Sequence, residues 1–290
     1  MNGKLYVVAT PIGNLEEITK RAKNILSQVD VIIAEDTRNT LKLLNRLGIS
    51  KVLISYHKFN ETQQSENIIA LLFDGKDVAM VSDAGTPCIS DPGCILVKAA
   101  AEKGIDIVGV SGACAITTGL CISGFVDLPF AFYGFLPRKK QEIIENIEQI
   151  KRNGVSVAIY FESPLRIKKT MSILTELLPT ANVCLCNDLT KVYEKIYRGT
   201  PVSILQDLTE NPYSEKGEYT LIVHLGKKRK KSDEVITDLS LEAMIVDYII
   251  KNDCTKKEAI SALAKSGINK NKLYESSLRL TDDFFRYQTK

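Results

Sequence analysis

The sequence predicts an α/β protein of two domains, 1–118 and 119–226, followed by a basic linker and helical extension over 227–290. Three observations carry that reading. Short apolar runs alternate with helix-patterned segments from the first residues, as expected for a largely parallel sheet with helices on both faces. The rhythm breaks near Phe125-Val126-Asp127-Leu128-Pro129, after which the strand runs show more alternation, as in a mixed sheet. A run of five cations, Lys227-Lys228-Arg229-Lys230-Lys231, then precedes a segment with three short helical patterns.

In the first domain, strands are expected over 5–9, 31–34, 52–55, 77–81 and 105–110, all apolar runs of the length buried strands have. Helices are expected over 18–26, over 40–47, amphipathic and ended by Gly48, and over 61–73. Another should follow the loop 82–93, with Asp91-Pro92 as its cap and first helical residue. In the second domain the expected helices are 138–151 and 165–178, and the strands 155–161, 183–186, 192–197 and 219–225. The extension reads as helices over 241–250, 256–265 and 270–279.

Composition narrows the function. Hydrophobic residues make up 44% of the 290 and charged residues 25%, ordinary values for a globular protein. No apolar run reaches the roughly 18 residues a bilayer span needs. The opening residues lack a signal-peptide pattern, so a cytoplasmic protein without membrane association is expected. The 7 Cys form no Cys-x-x-Cys pair, the nearest spacing being Cys184-x-Cys186, which points to reduced core thiols and no metal site. Only His57 and His224 are present, too few for a multi-His metal site. From residue 227 onward there are 14 Lys and Arg against 10 Asp and Glu, leaving 24 against 25 in the rest, so the positive excess lies in the extension.

The chemistry-bearing motifs are loops. There is no Gly-x-x-x-x-Gly-Lys-Ser/Thr and no Gly-x-Gly-x-x-Gly after the first strand, so triphosphate and dinucleotide binding lack support. No Gly-x-Ser-x-Gly occurs either. What the chain does carry is a ring of small-residue loops at strand ends: 10–15, 35–38, 82–92, 111–115 and 162–164. The most pronounced runs Ser82-Asp83-Ala84-Gly85-Thr86-Pro87, at the carboxyl end of a strand, where open α/β sheets place ligands. Backbone groups of such loops suit a polar, zwitterionic cofactor, and S-adenosylmethionine fits because its sulfonium needs no pyrophosphate cradle. Its expected contacts are Pro11, Gly13, Ser82, Asp83, Ala84, Gly85, Thr86, Gly112, Ala113 and Glu162.

Four segments in this order carry a family resemblance: Ala9-Thr10-Pro11-Ile12-Gly13-Asn14-Leu15, Ala34-Glu35-Asp36-Thr37-Arg38, the loop from Val81 to Gly93, and Gly134-Phe135-Leu136-Pro137. The chain resembles the tetrapyrrole methylase (class III) superfamily, in particular its branch that methylates small-subunit ribosomal RNA, over about 4–226. The resemblance implies two α/β domains with S-adenosylmethionine in the cleft between them, usually in a homodimer. It also implies methyl transfer to the 2′-oxygen of a cytidine in 16S ribosomal RNA. A ribose hydroxyl is a poor nucleophile at neutral pH, so a general base is needed, and Glu35, Asp36 and Lys191 are the candidates. Arg38, His57, Arg138, Lys139 and Lys140 are the candidates for contact with RNA.

Three departures from the family pattern stand out. Ser111-Gly112-Ala113 replaces Pro-Gly-Pro, Ile143 and Ile144 occupy places usually held by Arg, and Asn187-Asp188-Leu189-Thr190-Lys191 replaces Arg-Glu-Leu-Thr-Lys. They leave open a catalytically weak RNA-binding assembly factor, beside a methyltransferase acting on a small tetrapyrrole-type molecule.

Overall fold

The computed structural model describes residues 2–125, 129–226 and 240–280. The expected basic linker, and part of the break at 125–129, lie outside them. The first sheet comprises β1 (Leu5–Val8), β2 (Val31–Ala34), β3 (Val52–Ser55), β4 (Val78–Val81) and β5 (Ile107–Val110). They are connected by α1 (Lys20–Gln28), α2 (Thr37–Leu47), α3 (Glu61–Phe73) and α4 (Cys94–Glu102), and α5 (Ala115–Ser123) follows β5. The second part holds β6 (Phe130–Phe135), α6 (Lys140–Arg152), β7 (Val157–Glu162), α7 (Ile167–Leu177), β8 (Asn182–Asn187), β9 (Lys195–Gly199), α8 (Pro201–Glu210) and β10 (Tyr219–His224). The extension contains α9 (Leu241–Asn252), α10 (Lys256–Lys265) and α11 (Lys270–Leu278).

The first sheet runs β3-β2-β4-β1-β5, and its neighbours are all parallel. Period-2 alternation divides its residues between two cores. Val31, Ile33, Val78 and Met80 pack with Ile68 and Leu72 of α3 and Leu96 of α4. Ile32, Ala34, Ala79 and Val81 pack with Ala22 and Leu26 of α1 and Leu44 of α2 on the other face. Burial on both faces explains why β2 and β4 are unbroken apolar runs. Each such Leu or Ile contributes about 1.5–3 kcal/mol of transfer free energy.

The second sheet runs β6-β7-β10-β8-β9, with β6 and β7 parallel and the remaining pairs antiparallel. One face is covered by α6, α7 and α8, through Ile143, Ile147, Met171, Leu174, Ile204 and Leu208. The other face, including Ile159, Cys184, Cys186 and Ile222, packs against α5 through Ile116. Gly119 lets α5 lie low on this face, since a Cβ there would come within 3.1 Å of Ile222 Cδ1 and 3.3 Å of Thr220 Cγ2. Cys184 and Cys186 are free, buried thiols on that same face.

The chain divides into two compact units, 1–228 and 229–290, with both sheets in the first. The boundary expected at 118 falls inside α5. In the second unit Ile245, Ile249, Ala259, Ile260 and Leu273 form a core of their own. No described helix is long and apolar enough to cross a membrane.

Several expected boundaries move for identifiable reasons. Asp91-Pro92 does not open α4, because Gly93, at φ +132°, turns the chain first and stands as the cap. Helix α1 starts two residues later than expected, after a short 3-10 turn at Leu15–Glu17, and is capped by Thr19. Residues 192–194 belong to the β8–β9 turn, leaving Val192 91% and Tyr193 85% exposed. Helix α8 was not expected, although Thr200 caps it and Pro201 opens it.

Candidate active site

The loops at the carboxyl ends of the first sheet are fastened to one another through backbone. Thr10 N donates to Gly85 O at 2.8 Å and Gly85 N to Thr10 O at 3.0 Å. Gly85 is at φ +80°, and a Cβ there would stand 3.2 Å from Ile12 Cγ2. The side chain of Thr86 donates to Ala113 O, and that of Thr10 to Ser82 O. A Cβ at Gly112 would meet Ala9 Cβ at 3.0 Å, so glycine keeps the end of β5 against β1.

The two sheets meet at Gly13. A Cβ there would clash with Lys191 Cγ and lie 2.9 Å from Thr190 Oγ1 and 3.0 Å from Leu189 O. Asn14 N donates to Thr190 Oγ1 at 3.1 Å across the junction. Asp188 and Thr190 both have positive φ, +52° and +65°, a conformation β-branched Thr rarely adopts. That contorted turn sets Lys191 Nζ between Asp188 Oδ1 at 2.7 Å and Glu218 Oε2 at 2.9 Å.

Between the sheets lies a cavity of about 390 Å³, within the usual span of small-molecule sites. Its apolar lining includes Ile12, Ile89, Ile116, Phe135, Phe161 and Tyr219. The carboxylates Asp83, Asp91, Glu162 and Glu218 line it too, and no Lys, Arg or His among the described residues does. Glu162 is already neutralised by Arg166 and Glu218 by Lys191. The chamber, with its aromatic rings and no described Lys, Arg or His on its lining, therefore gives a pyrophosphate no partner and tolerates a ligand carrying positive charge. A sulfonium-bearing methyl donor therefore fits the residues present.

The expected cofactor contacts divide by position. Asp83, Ala84, Gly85, Thr86 and Glu162 line this cavity. Pro11 and Gly13 line a second cavity of about 400 Å³, which shares Ile12, Asp83, Ala84 and Glu218 with the first. Ser82, Gly112 and Ala113 line neither and brace the loops from behind. The carboxylate of Glu162 has no exposed surface and is bound by Ser163 N at 2.7 Å, Thr170 Oγ1 at 2.7 Å and Arg166 Nη2 at 3.0 Å. Arg166 also donates to Leu136 O and Pro137 O, so Glu162 anchors the corner joining β6, β7 and α7.

The candidate bases differ in what already holds them. Asp36 caps α2 by accepting from Arg38 N, and Arg38 Nε and Nη2 grip it at 3.0 and 2.6 Å. Those hydrogen bonds lower its pKa to about 2, leaving a weak base. For Lys191, partial burial disfavours the ammonium, but the hydrogen bonds to Asp188 and Glu218 prevail and raise its pKa. It therefore stays protonated at neutral pH, which favours a fixed positive charge over the expected role of base. Glu35 is raised above an ordinary carboxylate, first by burial and then by repulsion from Asp91 and Asp83. Asp91, which lines the first cavity, is raised mainly by burial, against a hydrogen bond from Ser82.

The residues expected to touch RNA are scattered, and none of them lines either cavity. Arg38 is held by Asp36. His57 Nδ1 accepts from Phe59 N, bracing its own turn. Lys139 pairs with Glu142 at 3.2 Å and Lys140 with Glu176, beside exposed Arg138 at the start of α6. Of the replaced family positions, Ile143 is 1% exposed in the second core, and Asn187 Nδ2 reaches Lys216 O at 3.2 Å. Sequence reasoning passed over Glu218, Tyr219 and Thr220, and the face of α2 bearing Asn39, Lys42 and Arg46. Strand pairing of Tyr219 with Glu162 brings the first group in, and no local motif announces it.

A twofold α/β body with loop-lined cavities at the junction of its sheets is a methylase architecture, and the chain belongs to the tetrapyrrole (corrin/porphyrin) methylase family, whose model matches residues 4–204. Solved structures support the fold. A cobalt precorrin-4 methyltransferase superposes with TM-score 0.56 at 19% identity, over 76% of this chain and 94% of that one. A diphthine synthase does so with TM-score 0.60 at 13% identity, over 78% and 91%. The more similar sequences share one name, ribosomal RNA small subunit methyltransferase I. That of Halalkalibacterium halodurans is 40% identical over 94% of this chain and 93% of its own. That of Bacillus subtilis is 39% identical over 94% of each, and that of Pasteurella multocida 39% over 96% and 98%. The chain is a methyltransferase, and its family uses S-adenosylmethionine.

Proposed function

We propose that this chain transfers a methyl group from S-adenosylmethionine to the 2′-oxygen of a cytidine ribose in 16S ribosomal RNA, acting on the small ribosomal subunit as a cytoplasmic homodimer. The observation that carries the reading is the carboxylate- and aromatic-lined cavity, with no Lys, Arg or His among its described lining residues, in a chain about 40% identical along nearly its whole length to ribosomal RNA small subunit methyltransferases. When bound, the cofactor supplies an electrophilic methyl group. Residues Asp83 to Thr86 would hold it from the first sheet, and Phe161 and Tyr219 would close over it from the second, excluding water.

The protein's remaining task is to orient the ribose hydroxyl and accept its proton. Glu35, which follows β2 and lines neither cavity but is near enough to Asp83 and Asp91 of the first for their charges to act on it, is the acceptor in this reading. Burial makes it more basic than an ordinary carboxylate, and no described residue donates a hydrogen bond to it. Lys191, fixed and positive, would orient an oxygen of the substrate in the second cavity, which adjoins the first.

The test is methyl transfer from labelled S-adenosylmethionine to small subunits of cells lacking the gene, followed by mapping of ribose methylation. One new 2′-O-methylcytidine is expected. Label on a base, or on a small tetrapyrrole but never on the particle, would overturn the assignment. Cofactor binding by calorimetry without any transfer would favour an assembly factor.

A further inference from the structure

We infer that the second cavity is the seat of the RNA strand, with Lys42 and Arg46 of α2 binding backbone phosphates beside the nucleotide whose ribose enters the first cavity. This rests on the function proposed above and adds where, and through which residues, the substrate is held.

Two adjoining chambers carry opposite electrostatic character. Among the described residues no cation lines the first, whereas Lys42, Arg46 and Lys191 all line the second. The acidic residues of the second chamber are already engaged. Asp83 accepts from Asp36 N at 3.1 Å and Asn39 Nδ2 at 2.9 Å, and Glu218 pairs with Lys191. Lys42 and Arg46 are exposed and have no ionic partner among the described residues. Their spacing of four places them on one face of α2.

A neutral or cationic substrate gives these two charges no counterpart. An RNA backbone does, through one phosphate per nucleotide. The chambers share Ile12, Asp83, Ala84 and Glu218, so a strand lying on α2 passes directly beside the first chamber. Lys42 and Arg46 are thus positioning residues and take no part in proton or methyl transfer.

The experiment compares the full-length wild type with a Lys42→Gln/Arg46→Gln double variant on unmodified small subunits at several salt concentrations. The variant should bind S-adenosylmethionine with unchanged Kd and keep kcat within about twofold. Its KM should rise by about tenfold or more, and the salt slope of log kcat/KM should flatten by about 1.4, the value for two lost single-strand phosphate contacts. A charge-preserving Lys42→Arg/Arg46→Lys variant should restore most of the slope, which a merely structural role for α2 would not produce. Wild-type transfer together with unchanged KM and slope in the neutral variant would overturn this placement alone. A wild type that never methylates the particle would overturn the functional reading first.

Discussion

Glu35 and Asp36 are neighbours with the same functional group and opposite chemistry. Asp36 faces Arg38 and the first turn of α2, and its proton is lost even in acid. Glu35 faces burial and two further carboxylates, and it keeps its proton to higher pH than an exposed glutamate. The folded protein holds that proton more tightly than the unfolded chain does. Stability contributed by the neutral form is therefore complete below the ordinary value of 4.5 and is lost as pH rises through the raised folded value. Glu35→Gln should accordingly raise the thermal midpoint at pH 8 and leave it nearly unchanged at pH 4. The same variant should lower kcat by about 10²- to 10⁴-fold with little change in cofactor affinity. Wild-type kcat, in turn, should fall as pH drops through the raised pKa. A Glu35→Gln protein of normal activity would remove it from the mechanism.

At the scale of elements, the corner where β7 meets α7 carries more than its length suggests. Arg166 neutralises a carboxylate without exposed surface and holds two carbonyls of the segment after β6. Arg166→Ala would leave the Glu162 charge buried and short of a donor, at a cost of about 3 kcal/mol. Because Phe135, Phe161 and Glu162 line the first cavity, cofactor affinity should fall as well. Denaturant unfolding and calorimetry on one sample check both parts, and intact stability would show that Thr170 and Ser163 suffice. This corner also marks how far local patterns reach. The helices Glu61–Phe73 and Lys256–Lys265 were legible to the residue, since amphipathic spacing or a capping box with Thr255 and Glu258 writes their limits locally. The loop half of the site was legible, and Glu162 with it, because each small-residue loop directly follows an apolar strand run and so announces itself locally. Glu218, Tyr219 and Thr220 join it by antiparallel pairing with a strand more than fifty residues earlier, and Lys42 and Arg46 by the direction in which α2 happens to face.

Across the whole molecule, the cation surplus counted from residue 227 begins at the last two residues of the α/β unit, Lys227 and Lys228, and runs on into the helical one. The extension has its own core, with Lys257, Lys265, Lys270 and Lys272 exposed. It is suited to add affinity for RNA that is indifferent to sequence and weakened by salt. A chain ending at Lys228 should bind S-adenosylmethionine with unchanged affinity, show a higher KM for the particle, and lose part of its salt dependence. Equal salt dependence in the two forms would leave docking to the α/β unit alone.

The place of β1 in the sheet has a consequence for the order of synthesis. Leu5 hydrogen-bonds into register with Val78 on one side and Ile107 on the other, so the first strand made is among the last to be enclosed. Helix α1 can cover Val8 early, but β1 gains a strand neighbour only when Val78 to Met80 of β4 have been made, and such non-local pairing is slow to form. The contact between Gly13 and Thr190 cannot close until the second sheet is well advanced. A nascent chain therefore holds all the Gly-rich loops of the site long before it holds a site. Closure of the first cavity awaits Glu218, Tyr219 and Thr220, which complete its lining.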